Sequence, residues 1–181
     1  MNYCSHCATP VEHIIPPDDD RPRYVCPGCS RIHYQNPRLV VGCIPIWQDQ
    51  ILMCLRDIEP RSGKWTLPAG YLENGEAVAD GAYRETREET GARIEALQPY
   101  LLFDIVHINQ LYLMFRSQLA EPAFHPTRES VDVRLFAADN IPLEDIAFPV
   151  IEKTLRCYLA DREAGLFPFQ IHPIHTQLQP G

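Results

Sequence analysis

Two textures divide the chain. Up to about residue 37 the hydrophobic positions keep no period: cysteines, prolines and the run Asp18-Asp19-Asp20 alternate with isolated apolar residues. So short a stretch has too little apolar surface to fold around a core by itself. From Leu39 the pattern becomes continuous. Leu39-Val40-Val41-Gly42-Cys43-Ile44-Pro45-Ile46-Trp47 reads as a strand, Gln48-Asp49-Gln50 as a turn and Ile51-Leu52-Met53-Cys54-Leu55 as a second strand. Residues 57–64 are polar and carry Pro60 and Gly63, which makes them a loop. After Asn74-Gly75, residues 76–90 read as a helix rich in Ala, Glu and Arg, stopped by Gly91. Residues 101–108 and 111–117 read as strands around Asn109-Gln110, and 131–137 as another. A last helix follows Pro149, with Ile151, Leu155, Tyr158 and Leu159 on one face and Gly165 at its end. Residues 166–181, rich in Pro and Gln, read as a loose or draped tail. The expected organisation is a small module over 1–37, one main domain over 38–165 and that tail.

Composition narrows the class. The chain has 181 residues, 45% of them hydrophobic and 22% charged, values of a folded globular protein rather than a disordered, collagen-like or coiled-coil one. Sixteen Lys and Arg stand against 24 Asp and Glu, a net charge of -8 that disfavours a nonspecific nucleic-acid surface. A phosphate-rich substrate would therefore need metal ions or local positive charge. The N-terminus lacks a basic start followed by an apolar stretch, and no run of about 18 apolar residues occurs, so neither export nor membrane insertion is expected.

Seven cysteines are present, and four form two pairs: Cys4-x2-Cys7, then eighteen residues, then Cys26-x2-Cys29. Two tight knuckles, each presenting two thiolates, are what a tetrahedral Zn2+ requires, and metal binding would then supply folding free energy that residues 1–37 lack. The pattern fits a metal in a reducing compartment better than a disulfide framework, and the protein reads as cytosolic. Arg21, Arg23, Arg31 and Arg38 are balanced by Glu12, Asp18, Asp19 and Asp20. The module thus shows no basic footprint, which favours a structural or dimer-forming role over nucleic-acid contact. Cys43, Cys54 and Cys157 sit in apolar runs and read as small buried hydrophobes.

In Glu85-Thr86-Arg87-Glu88-Glu89 three carboxylates at i, i+3 and i+4 project to one side of a helix. Converging carboxylates repel unless divalent cations neutralise them, and oxygen ligands on a rigid element suit Mg2+ or Mn2+. The alternative is a solvated helix face stabilised by Arg84 and Arg87. The surroundings decide between them: Gly70-x5-Glu76-x7-Arg84-Glu85-x2-Glu88-Glu89-x-Gly91 carries every polar and glycine position of the Nudix box.

The chain resembles Nudix hydrolases over residues 39 to about 160, with Trp65-Thr66-Leu67-Pro68-Ala69-Gly70 similar to that family's approach loop. It departs from the pattern at Thr86 and Ala92, where a bulky aliphatic is usual, and at Ala69, where glycine is common. The resemblance implies an α/β/α sandwich with a mixed sheet, preceded by a zinc ribbon, and hydrolysis of a nucleoside diphosphate linked to another group. It implies Glu85 and Glu89 as principal Mg2+ or Mn2+ ligands, Glu88 as a further ligand or orienting group and the Gly70 carbonyl as an additional contact. Arg84 would orient the glutamates, and Glu76 would tie the loop to the helix through Arg84. The base that deprotonates water differs among family members; here the candidates outside the box are Glu129 and Asp132. His107, Asn109 and Trp65 could approach substrate, although structural roles are the expectation for each.

A ribbon ahead of such a domain also resembles NADH diphosphatases, whose Ser-Gln-Pro-Trp-Pro-Phe-Pro stretch after the box is here reduced to Gln98-Pro99-Tyr100. The resemblance therefore leans to the ribbon-bearing branch associated with ADP-ribose and FAD, with AMP as product and a homodimer as assembly. The alternatives are NADH hydrolysis, removal of a nucleotide cap from RNA, or a ribbon protein that only binds nucleotide.

Overall fold

The computed structural model describes residues 1–174 and divides into two compact units, Met1–Pro37 and a second beginning at Arg38. In the first, β1 (Glu12–Ile14), β2 (Arg23–Val25) and β3 (Ile32–His33) form an antiparallel sheet in that order. Such short strands hold no apolar core, and the centre of the unit is instead the four cysteines, with Cys4 and Cys26 buried.

The second unit is built on β4 (Arg38–Trp47), β5 (Gln50–Arg56), β6 (Trp65–Thr66), β7 (Ala69–Tyr71), α1 (Val78–Thr90), β8 (Ile94–Ile105), β9 (Gln110–Leu119), β10 (Ser130–Ala137), α2 (Pro149–Ala164) and β11 (Gln170–Ile174). The sheet runs β10-β5-β4-β9-β8-β11. It is mixed, since β4 with β9 and β8 with β11 pair parallel while the other neighbours are antiparallel. Alternation along the strands sends side chains to two faces. Ile44, Met53, Leu101, Phe103 and Met114 meet Ile151, Leu155 and Tyr158 of α2, while Cys43, Leu52, Cys54 and Phe115 form a second core that includes Ala82 of α1. A helix covers each face, which is the expected α/β/α sandwich.

One irregularity positions everything else. β4 and β5 pair only at their shared hairpin, Ile46 with Ile51 and Trp47 with Gln50, and then splay apart. The wedge between them is filled by β6, paired to β5 through Cys54 and Leu55, and by β7, paired to β4 through Val40, Val41 and Gly42. The approach segment 65–71 is therefore held by hydrogen bonds on both sides, and it ends under α1.

Besides the wedge strands, which replace an expected approach loop, the main differences from expectation fall in three places. β8 begins seven residues early because a bulge around Ala96, at φ 52, lets Glu95–Pro99 go on pairing with β9 through two shifts of register. The segment expected to finish that strand turns instead through a 3-10 helix, Val106–Ile108. The C-terminal stretch, expected to be draped or loose, contributes an unexpected strand, β11, whose backbone pairs with Leu101–Ile105 and whose Ile174 packs on the core; the rest of the tail, from residue 175, lies outside the described residues.

α1 ends as its sequence predicts. Gly91 adopts φ 68 and its N–H donates to the Arg87 carbonyl. The imidazole of His125 lies against this glycine, so that a Cβ built there would stand 2.2 Å from the ring. Strain at positive φ and this clash act together, and Gly91→Ala is expected to lower stability by more than about 1 kcal/mol, to be read as a fall in the denaturation midpoint with an unchanged slope.

Candidate active site

A helix lying on a sheet ordinarily buries apolar residues. The buried face of α1 is Gly81, Ala82, Glu85, Thr86, Glu89 and Thr90, so two carboxylates four residues apart are turned inward. Only 7% of Glu85 and 5% of Glu89 is exposed. Glu88, expected beside them, sits at the rim with half its side chain in solvent. Thr86, where an aliphatic was expected, is fully buried because its hydroxyl is satisfied, donating to the Ala82 carbonyl at 2.8 Å and meeting the Cys43 sulfur at 3.0 Å.

Isolated charges buried this deeply are penalised by several kcal/mol each unless partnered. Arg84 supplies part of the compensation. Its Nη1 donates to Glu85 Oε1 at 2.6 Å and to Glu88 Oε2 at 3.0 Å, its Nε and Nη2 bind both oxygens of Glu76, and Nη2 also donates to the Tyr71 carbonyl. Glu76 in turn accepts from the Glu73 N–H at 2.7 Å. One guanidinium thus joins β7, the box loop and the helix. Hydrogen bonding by Arg84 holds the Glu76 carboxyl down at about 2, while the arginine itself is held more firmly protonated.

Glu89 receives less. Its Oε2 accepts from the Ala69 N–H at 3.2 Å and from the Cys54 thiol at 3.6 Å. Burial, with the charge of Glu85 next, pushes its carboxyl up to about 8, and burial raises Glu85 as well. The approach of β7 is equally tight, since a Cβ on Gly70 would stand 2.3 Å from the Glu85 carboxylate. Two buried, underpartnered carboxylates facing a backbone stripped of side chain make a cradle suited to a hard divalent cation.

The remaining candidates fall at different distances from this centre. Glu129 is exposed just before β10, yet its negative charge contributes to raising both Glu85 and Glu89. Asp132 is paired with Arg134, and Trp65 packs edge-on against Phe136 at 4.8 Å. Asn109 closes the turn between β8 and β9 at φ 52, its carbonyl accepting from the Arg38 N–H. His107 lines a cleft of about 500 Å3 that starts at Gly70 and is walled by Tyr71, Tyr112, Phe148 and Ile174. Arg56 also lines it, its guanidinium 5.0 Å from the Phe148 ring centre and donating to the Ile58 and Pro60 carbonyls. Sequence reasoning missed Arg56, Tyr112 and Phe148. They come from three separate elements, and only the alternation of β5 and β9 hinted at their facing.

In the first unit Cys4, Cys7, Cys26 and Cys29 present sulfurs all within 4.8 Å of one another, with Cys4–Cys29 at 3.7 Å and Cys7–Cys26 at 3.4 Å. Zn–S bonds of about 2.3 Å would set tetrahedral sulfurs about 3.8 Å apart. Each knuckle turns through a residue at positive φ, Ala8 or Ser30, and the two use equivalent hydrogen bonds, Ala8 N–H to the Cys4 carbonyl and Ser30 N–H to the Cys26 carbonyl. The side-chain and backbone hydrogen bonds of Thr9 bring the Cys7 thiol down to about 6, whereas burial and the neighbouring sulfurs push the Cys29 thiol up to about 12, so the four ionise together only with a cation among them. The set fits a tetrahedral ion.

Comparison with known proteins agrees with both units. A family model for a Nudix N-terminal zinc ribbon matches residues 2–35, and the NUDIX domain model matches residues 36–156. A NUDIX hydrolase from Nitrosomonas europaea has a similar structure, with a TM-score of 0.93, 46% sequence identity, and coverage of 97% of this chain and 100% of that one. An ADP-ribose pyrophosphatase from Streptococcus suis shares the fold at a TM-score of 0.62 and 21% identity, over 75% of this chain and 99% of that one. A protein named NAD-capped RNA hydrolase NudC, from Stutzerimonas stutzeri, is 30% identical over 162 residues, 88% of this chain and 56% of its own length. The chain thus spans about half the length of the curated relatives it matches. No helix among the described residues is long and apolar enough to cross a membrane. With the domain model covering most of the second unit and the box folded into a buried carboxylate cradle, the chain belongs to the Nudix hydrolase family.

Proposed function

We propose that the protein hydrolyses the diphosphate bond of a nucleoside diphosphate derivative, ADP-ribose or FAD first among them, with release of AMP. The observation that carries this is the cradle of Glu85 and Glu89 beneath Gly70, opening into a cleft with aromatic walls. Glu85, Glu88, Glu89 and the Gly70 carbonyl would hold Mg2+ or Mn2+. When bound, such ions offset the charge of the carboxylates and the diphosphate and lower the pKa of an attacking water. Arg84 keeps the glutamates aligned through its contacts with Glu76, Glu85 and Glu88. The water oxygen bonds to one phosphorus, the bridging oxygen leaves with the other phosphate, and Glu129 takes the proton. Tyr112 and Phe148 offer faces for a planar ring, and the Arg56 cation lies beside them to orient phosphate. In the ribbon, Cys4, Cys7, Cys26 and Cys29 would hold structural Zn2+, an arrangement suited to a reducing cytosol.

Action on NAD-type substrates, including capped RNA, is the second reading, supported by the name of the Stutzerimonas stutzeri relative. Against it, Gln98-Pro99-Tyr100 is built into β8, and Tyr100 is fully buried, donating to Asp161 of α2 at 2.7 Å. Tyr100 supports the core, Gln98 and Pro99 are exposed, and none of the three lines the cleft.

The test offers FAD, ADP-ribose, NADH and NAD-capped RNA separately with Mg2+ and compares kcat/KM for diphosphate cleavage, read as AMP from the first three and as NMN with 5'-monophosphorylated RNA from the last. Highest efficiency on FAD or ADP-ribose is expected, with Glu89→Gln losing at least about 100-fold in kcat while keeping its fold. Preference for capped RNA would favour the second reading, and no cleavage at all would overturn both.

Stability carries a pH signature of the same site. In the folded, metal-free protein Glu89 holds its proton up to about 8, whereas an unfolded chain releases it near about 4.3. Between these values the folded state binds more protons, so its stability is full below the lower pKa and declines as pH rises through the higher one. The metal-free Tm is expected to fall between about pH 5 and about pH 8. Saturating Mg2+ should flatten the decline by neutralising the carboxylate, and Glu89→Gln should remove most of it; a metal-free Tm that rises over this interval would contradict the burial argument.

A further inference from the structure

Thr127 lies outside the box and outside β10, in the segment that leads from α1 and β9 towards Glu129. Its hydroxyl makes two hydrogen bonds in opposite directions. It donates to the Glu89 carbonyl at 3.4 Å and accepts from the Glu129 N–H at 3.2 Å. The Glu89 carbonyl belongs to the last turn of α1, where helix carbonyls have no partner within the helix. The neighbouring Thr90 carbonyl is taken by the same segment, from the His125 N–H at 2.9 Å. Two further bonds fix the far end: the Thr127 N–H donates to the Ser130 carbonyl, and the Asp57 N–H donates to the Glu129 carbonyl. The segment is therefore a cap on the carboxylate-bearing helix and a mount for Glu129 at once, and among the described residues the Thr127 hydroxyl is the side-chain group that bonds to both. Its reach is electrostatic as well as mechanical, because Glu129 is placed where its charge is felt by Glu85 and Glu89.

We infer that Thr127 is a positioning residue, whose hydroxyl sets Glu129 against the Glu85–Glu89 pair. The inference rests on the proposed role of Glu129 in removing the proton from water. Geometry at this scale matters to rate, since an ångström of misplacement at a reacting centre is worth up to about 100-fold. None of residues 125–129 lines the cleft, so the effect is expected in kcat.

Thr127→Val keeps the shape and removes both hydrogen bonds; Thr127→Ser keeps the bonds and removes a methyl. With the hydrolysed substrate identified above and saturating Mg2+, Thr127→Val is expected to lower kcat by about tenfold or more with KM within twofold, and Thr127→Ser to restore it. In the Glu129→Gln background Thr127→Val should cause no further loss. Independently of activity, 15N relaxation on the metal-free protein should show the Glu129 amide gaining motion in Thr127→Val and not in Thr127→Ser. Unchanged kcat in Thr127→Val, with Glu129→Gln crippled, would overturn the positioning role while leaving Glu129 in place. An equal loss from Thr127→Val in both backgrounds would overturn it too, by showing that the hydroxyl acts through the helix alone. Unchanged kcat in Glu129→Gln would instead remove the role of Glu129 on which the inference stands.

Discussion

Two negative charges placed four residues apart on the inward face of one helix are the constraint around which the second unit is organised. The same face packs Ala82 into the smaller apolar core, so Glu85 and Glu89 have to be met by something other than apolar side chains. They meet a peptide edge, an Arg84 guanidinium and small side chains, while the apolar packing of the sandwich is concentrated on the opposite face of the sheet against α2. The larger core supplies rigidity, and the smaller one is free to be unfavourable to itself in the way a cation site must be. Local instability of this kind is tolerable because it is confined to one helix turn and the strand edge beneath it.

The splay between β4 and β5 is what supplies that peptide edge. Had the two strands stayed paired to their ends, Ala69 and Gly70 could not lie between them, and the Ala69 N–H would be engaged in the sheet rather than directed at Glu89. Arg84 then closes the arrangement from the other side by gripping the Tyr71 carbonyl together with Glu76, Glu85 and Glu88. Sheet, loop and helix are thereby fixed to one another within a few residues of the reacting centre, which is how preorganised electrostatics are built.

Much of this could be read from the sequence because its signals are local. The apolar runs of β4 and β5, the cap at Gly91 and the one-sided spacing of Glu85 and Glu89 depend on neighbours within a turn or a pleat. The two cysteine pairs were readable for the same reason. The wedge strands were not, because Trp65–Tyr71 has no strand period and becomes extended only by pairing with two different strands, β5 across a short loop and β4 farther back in the chain. β11 was hidden by Pro173, which a parallel edge position accommodates. The inward turn of Glu89 against the outward turn of Glu88 also escaped, since adjacent residues differ by 100° around a helix and only the packed sheet says which one faces it. Arg56, Tyr112 and Phe148 form a wall only after the sheet has folded.

β11 makes one wall of the cleft depend on a long crossing. Its partner β8 begins some seventy-six residues earlier, and the pair is parallel, so no hairpin can form it; α2 must cross the sheet between them. The box and its helix lie within residues 70–91, whereas Ile174, one wall of the cleft, comes from the far side of that crossing. Displacing α2 would therefore reach the wall of the cleft through β11 without touching the carboxylates, so the two halves of the site answer to different helices.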